Sequence, residues 1–404
     1  WDGVISAREK LAQQFAALAE LDAPRTGVEY HDGGAQDHVP PGRLRALLQQ
    51  AVAFQRSRSH YQPRHKTPIK TLLSDYHCFV LPNSLLCTLR GHSDNVKSVC
   101  FIGKDGARVA SGSSDNTIRL WQTPSPETAD DLASAPRCER LTGHASRIWQ
   151  LACDRDGGLV ASASADQTVK VWDAREGCGD CVATLAGHNR DVYSVAFHSG
   201  AQYLVSAGYD KTARLWDTER QEEKKTFWGH DSSVSSAIFN PHGNLIITGS
   251  KDNTIRFWDL ISGLCVHTLS GPAMGEVTSV DVSSDGLYLL SCCKGNSNRL
   301  WDLRMSKMLR RFRGHQNTAK NFVRARFGPS DEMVMSGSED GYLYVWDKDS
   351  GTLIQCLGHG DCGVIYEAVW NSEQAVLASC SHDHAVQFWW FDDTKPVEFD
   401  DGGR

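Results

Sequence analysis

The chain has 404 residues, of which 23% are charged, and a net charge of −7. That length suits one large domain, and the mild acidic balance gives no global attraction to nucleic acid or to an anionic membrane. No apolar run approaches the 18 residues of a membrane-spanning helix, so no membrane contact is expected.

The chain opens on Trp1 rather than Met, so its true N-terminus is expected to lie upstream. Residues 4–21 place Ile5, Ala7, Leu11, Phe15, Leu18 and Leu21 at roughly helical spacing in an Ala-, Leu- and Glu-rich stretch, which predicts an amphipathic helix. Residues 22–42 hold Gly, Pro, Asp and His without periodicity and read as a loop. A second helix starts near Pro40-Pro41 and carries Leu44, Leu47, Leu48, Ala51 and Val52 on one stripe. The helical segment is bounded at 1–60 and a linker at 61–83. Residues 56–70 contain five Lys or Arg and no acid; they read as a solvated linker, with weak contact to nucleic acid as the alternative.

From residue 84 to 391 one pattern repeats. Val109-Ala110-Ser111-Gly112-Ser113-Ser114-Asp115-Asn116-Thr117-Ile118-Arg119-Leu120-Trp121 reads as strand, tight turn, strand. Copies end at Trp172, Trp216, Trp258, Trp301, Trp346 and Trp389, at intervals of 42 to 51 residues. A Gly-His pair or its relic precedes each Trp by 28 to 31 residues. Seven such units predict an all-β, seven-bladed β-propeller behind a short α-helical N-terminal segment. Leu85–Leu89 is a strand without a blade of its own, and the last unit stops one strand short at Trp389-Trp390-Phe391. The first strand is therefore expected to complete the last blade and remove a sheet edge. Gln122 to Cys138 is an insertion expected to form a flexible loop, and residues 392–404 form an acidic tail.

The repeats resemble the WD40 family over about three-quarters of the chain. The resemblance implies a hydrogen-bonded set in each blade, made of a His, a Ser or Thr, an Asp and the Trp. Its members would be His92, Ser111, Asp115, Trp121; His144, Ser162, Asp166, Trp172; His188, Ser206, Asp210, Trp216; His230, Thr248, Asp252, Trp258; His315, Ser336, Asp340, Trp346; and His359, Ser379, Asp383, Trp389. A buried indole N–H and imidazole each cost roughly 1–3 kcal/mol unpaired, and a hydroxyl between them satisfies both. Repeated at one structural period, these His/Ser/Asp sets read as architecture and not catalysis. Blade 5 departs from the pattern, with Pro272 for the His and Gly295 for the Asp.

The string Pro40-Pro41-x-Arg43-Leu44-x-x-Leu47-Leu48-x-Gln50-Ala51-x-x-x-Gln55 is similar to the end of the CTLH region of LisH/CTLH/WD40 proteins. That family includes a nuclear pre-mRNA splicing factor and a ubiquitin-ligase subunit. Trp172-Asp173-Ala174-Arg175 and Trp301-Asp302-Leu303-Arg304 are similar to the signature by which some WD40 proteins dock on the adaptor of cullin-type ubiquitin ligases. Arg175 and Arg304 are thus candidate adaptor contacts, although each could instead pair with a neighbouring blade's carboxylate.

Aligning the inner strands puts Lys97, Trp149, Tyr193, Ser235, Thr278, Val323 and Tyr366 round the mouth of the central channel. Lys97, Trp149, Tyr193 and Tyr366 are the candidate peptide-binding residues, with an Arg or Lys of a partner entering between the rings. The alternative is that the rings pack on one another. Thirteen cysteines, odd in number and without recurrent spacing, read as reduced thiols of an intracellular protein. Cys178-x-x-Cys181 lacks the second pair of a closed zinc site, and neither metal nor cofactor is expected. These features predict a non-catalytic interaction scaffold that binds proteins or peptides of a multisubunit complex. By resemblance the complex is a nuclear splicing assembly; a cullin- or CTLH-type ubiquitin ligase is the alternative, and an enzyme at the channel mouth the weakest reading. A nuclear place is favoured over a cytoplasmic one.

Overall fold

The computed structural model describes residues 82–390 apart from 104, 126–137, 272–274, 319–320, 329–330, 359–362 and 372–375. The expected N-terminal helices, the basic linker, most of the Gln122–Cys138 insertion and the acidic tail lie outside the described residues. Within Ser84–Trp390, one compact unit, 28 strands form seven four-stranded antiparallel sheets. Their innermost strands contact one another in sequence order, and the first meets the last, so the sheets close a ring. This is a seven-bladed β-propeller.

Each blade is a meander whose first three strands are buried and whose fourth faces solvent. In blade 1 these are Val96–Ile102, Arg108–Ser113, Ile118–Gln122 and Cys138–Leu141. The turn between second and third strands needs a left-handed residue, and Asn116, Gln167, Lys211, Asn253, Asn296, Gly341 and His384 fill that position with φ between 58° and 85°. Blades pack through apolar residues on facing sheets. Ile102, Ala110, Ile118 and Leu120 of blade 1, for example, meet Ile148, Leu151 and Val160 of blade 2.

Blade 7 is built from both ends of the described chain. Ile365–Asn371, Val376–Ser381 and Ala385–Trp390 are joined by Ser84–Arg90, which pairs antiparallel with the last strand from Ser84↔Trp390 to Arg90↔Ala385. Cys87 and Leu89 insert between Phe388, Val386 and blade 1's Trp121, and burial pushes the Cys87 thiol up to about 12. The first strand thus covers an edge that would otherwise be open.

Leu89 is 1% exposed and Leu85 44%. Leu89→Ala should cost about 2–5 kcal/mol in urea unfolding, and Leu85→Ala under about 1 kcal/mol. Equal small losses would show that the strand contributes nothing to closure.

Candidate functional site: the channel mouth

The four-residue sets assemble in blades 1 to 4. In blade 1 the Trp121 indole N–H donates to Ser111 Oγ at 2.7 Å, Ser111 Oγ meets His92 Nε2 at 2.8 Å, and His92 Nδ1 meets Asp115 Oδ2 at 2.9 Å. The carboxylate can only accept, so Nδ1 carries the ring hydrogen and donates to it, and Nε2 accepts the hydroxyl hydrogen of Ser111, whose oxygen in turn accepts from the indole. Blades 2, 3 and 4 repeat this through Ser162, Ser206 and Thr248, with every distance between 2.6 and 2.8 Å. Burial would push the four aspartates up. Bonds from the His rings, from Thr hydroxyls two residues on, and from backbone N–H groups outweigh it and hold them well below the usual carboxylate range. Each hydroxyl is fully buried and committed to the indole, so none is available as a nucleophile.

Blades 5, 6 and 7 differ. Ser291 and Ser379 still accept from Trp301 and Trp389 at 2.9 Å, but Gly295 offers no carboxylate, and His359 and Pro272 lie outside the described residues. In blade 6 the expected set of His315, Ser336, Asp340 and Trp346 does not form. Opposite the central hydroxyl, blades 1, 3, 4 and 5 carry Arg119, Arg214, Arg256 and Arg299, whereas blade 6 carries Tyr344. The Tyr344 ring stacks on Trp346 at 5.7 Å and its hydroxyl donates to Asp340 at 2.8 Å. Trp346 donates instead to the Arg313 carbonyl, and both His315 ring nitrogens have no partner among the described residues. Burial lowers the His315 pKa to about 4, so the ring is neutral at pH 7.

The mouth is positioned by β-bulges. Pairing of the first two strands slips at Lys97, Trp149, Tyr193, Ser235, Thr278 and Tyr366, so each of these is an extra residue re-aimed out of the ladder. One residue further on, Ser98, Gln150, Ser194, Ser236 and Ser279 each accept the backbone N–H of the next blade's inner strand, at 3.1 to 3.3 Å. This belt of bonds sets the spacing of the mouth residues.

Blade 6 breaks the pattern and thereby plugs the channel. Its first strand is shortened to Ala325–Phe327, and seven positions separate His315 from Phe322, where blades 1 to 4 use five from the His to the mouth residue. Val323, expected in the mouth, is fully buried, and its carbonyl accepts from Thr278 Oγ1 at 2.8 Å. Phe322 takes its place and reaches across to blades 2 and 3. It lies 5.4 Å from the Trp149 ring and 4.8 Å from that of Tyr193, which are themselves edge to face at 5.3 Å. Arg324 crosses too, donating to the carbonyls of Lys97 at 2.9 Å and Trp149 at 2.8 Å.

Below the rings, Glu367 is fully buried. It accepts from Ser98 Oγ at 2.6 Å and from Arg326 at 2.7 and 3.1 Å, and lies 3.6 Å from Arg324. Burial alone would raise its pKa; the two guanidiniums more than offset that and hold the carboxyl ionised. Arg326 also faces Asp281 at 3.8 Å, so two cations meet two carboxylates.

Of the four candidate binding residues, Trp149 and Lys97 are half-buried, while Tyr193 and Tyr366 are 7% and 2% exposed. The ring faces are already occupied by the protein's own cations. Lys97 Nζ sits 3.5 Å from the Tyr366 ring centre, Lys251 Nζ 4.9 Å from that of Phe322, and Arg147 5.4 Å from that of Trp149. Burial lowers the Lys97 pKa to about 8. Beside these rings a cavity of about 360 Å³ opens between blades 1 and 2, lined by Asn95, Lys97, Ser114, Arg147, Trp149 and Asn321 among others. Phe322, Arg324 and Lys251 were not legible as mouth residues from aligned inner strands; the long His315–Phe322 interval was the available signal. Arg175 and Arg304 are exposed and pair with Asp173 and Asp302 of their own blades, not with a neighbour. Among the described residues no cluster of His, Cys, Asp or Glu could hold a metal, and no helix is long and apolar enough to cross a membrane.

The repeat described as WD domain, G-beta repeat matches at 83–122, 136–173, 179–217, 221–259, 263–302, 306–347 and 351–389. The chain belongs to the WD40 family. Each WD40 repeat begins one strand before its blade, which is why the first match contains the strand that completes blade 7. The chain is 25% identical over 359 residues to a WD repeat-containing protein 26 homolog of Arabidopsis thaliana, covering 88% of this chain and 58% of that protein. That alignment is longer than the propeller. It is 34% identical over 128 residues to GID complex subunit 7 of Schizosaccharomyces pombe, covering 31% and 24%. With Protein Atg16l2 of Homo sapiens it shares 33% over 119 residues, covering 29% and 19%. The chain thus spans at most 58% of the length of these relatives.

Three substitutions test this geometry. Ser162→Ala strands an indole N–H and an imidazole nitrogen and should cost about 1–3 kcal/mol in denaturant unfolding. Ser336→Ala, at the equivalent position of blade 6, should cost less, because Ser336 Oγ donates to the Gly337 carbonyl while the Trp346 indole is satisfied by the Arg313 carbonyl. Equal losses would put the energy elsewhere than in the four-residue set. Arg324→Met should cost about 3 kcal/mol or more by removing a buried partner of Glu367 and two carbonyls; a loss under about 1 kcal/mol would show the crossing guanidinium to be dispensable.

Proposed function

We propose that this WD40 propeller is a non-catalytic, protein-binding subunit of a multiprotein ubiquitin-ligase assembly of the GID type, working inside the cell. The observation that carries the reading is the match to a GID complex subunit, together with one to a WD repeat-containing protein that extends beyond the propeller. The mouth supplies the docking surface. A half-buried Trp149, backed by Tyr193 and Phe322 and beside an open cavity, is the kind of rigid aromatic anchor that dominates binding energy. The self-supplied cations argue against a partner's Arg or Lys entering between the rings, and favour a segment that lies along Trp149 and the cavity. Fully committed hydroxyls and a plugged channel favour binding over catalysis.

The test is affinity purification of the full chain, followed by identification of bound proteins. Co-purification of ubiquitin-ligase subunits is expected; recovery of splicing proteins without them would overturn the ligase reading in favour of a splicing assembly. Trp149→Ala should weaken the partner by about 2 kcal/mol, near thirtyfold, with an unchanged melting curve. Arg175→Ala with Arg304→Ala should remove a cullin adaptor if the ligase is of that type. Wild-type affinity in Trp149→Ala would exclude the mouth.

A further inference from the structure

The inner strands of blades 1 and 2 bring two thiols together. Cys100 lies on Val96–Ile102 and Cys153 ends Ile148–Cys153; their sulfurs are 2.8 Å apart although 53 residues separate them in sequence. A disulfide requires side chains that face one another from close backbones, and neighbouring inner strands meet that condition here. Both residues are half-buried on the seam between the blades, packed against the cluster of Ile102, Leu151 and Val160, so a small oxidant can reach them. The charge of Arg108 acts on Cys153 and favours its thiolate. Against it, the bond to Cys100 and then burial hold the Cys153 thiol well above its ordinary value.

We propose that Cys100 and Cys153 are an oxidative modification site, a dithiol that a hydroperoxide converts to a disulfide between blades 1 and 2. One sulfur, as thiolate, attacks the peroxide oxygen, forming a sulfenic acid and releasing water or an alcohol. The second sulfur attacks the sulfenic sulfur and displaces hydroxide, which leaves as water with the second thiol's proton. Two thiols lose two electrons and two protons, and one hydroperoxide is reduced. The bond would tie together the strands that carry Lys97 and Trp149, three and four residues away, and fix the width of the cavity between them.

The experiment treats the folded full chain with hydrogen peroxide, alkylates the remaining thiols, digests the protein and maps its peptides by mass spectrometry. A linked Cys100–Cys153 peptide is expected, lost on reduction and absent from Cys100→Ser. Recovery of both cysteines alkylated, or separately oxidised to sulfinic acids, overturns the proposal, as does a link that forms only in urea. The decisive reading is on the wild-type chain, so poor folding of the variant does not blunt it.

Discussion

A β-propeller made of similar sheets must bury the largest side chain of each sheet, the tryptophan of its third strand, without stranding the indole N–H. Blades 1 to 4 solve this with one hydroxyl that accepts from the indole and gives its own hydrogen to a histidine. The histidine hands the demand on to an aspartate at the rim of the blade. The chain of bonds runs from the third strand to the second, then to the loop before the first strand, and ends in the turn between second and third. One polar relay thus fastens every connection on that face of the blade, and its failure costs the full desolvation of two buried groups. The arrangement contains the residues of a hydrolase and none of its freedom, because each hydroxyl is fully buried and its proton is already given to the histidine.

Round the axis a second network does the equivalent work between blades. Five side chains, from Ser98 to Ser279, each hold the backbone of the next blade. At the two remaining places the belt changes chemistry to Arg324 and Glu367, and the small-polar ring becomes an ion pair that reaches over the channel. The longer side chain is what allows blade 6, with its shortened inner strand, to stay registered with blades 1 and 2. Phe322 follows the same displacement, so an irregularity in one blade furnishes the aromatic floor of the mouth.

Much of this was legible in the chain. Periodic tryptophans, Gly-His pairs and Asp turns fix the number of blades because each marks a place where burial, a left-handed residue or a hydrogen bond admits few alternatives. The unpaired Leu85–Leu89 strand and the missing last strand pointed to each other. What resisted reading depends on side-chain contacts, some within a blade and some between blades. Tyr344 is visible at an arginine position, yet that it would take Asp340 from His315 follows only from its stacking on Trp346. Val323 and Phe322 exchange roles where the inner strand is shortened to Ala325–Phe327, and a one-residue change of facing leaves almost no trace in hydrophobic pattern. Lys251 enters the mouth from a turn and not from an inner strand, so alignment of those strands passes it by.

Closure by the strand Ser84–Arg90 also sets the order of events during synthesis. Its partner, Ala385–Trp390, is made some three hundred residues later, which at about 5–20 residues per second is a wait of roughly 15–60 s. Throughout that interval Cys87 and Leu89 have no sheet to enter, and blade 1 lacks the neighbour that covers Trp121. Until Ala385–Trp390 emerges the ring is complete except for its clasp, and a chaperone that shields the first strand over that interval would act where this fold is most vulnerable.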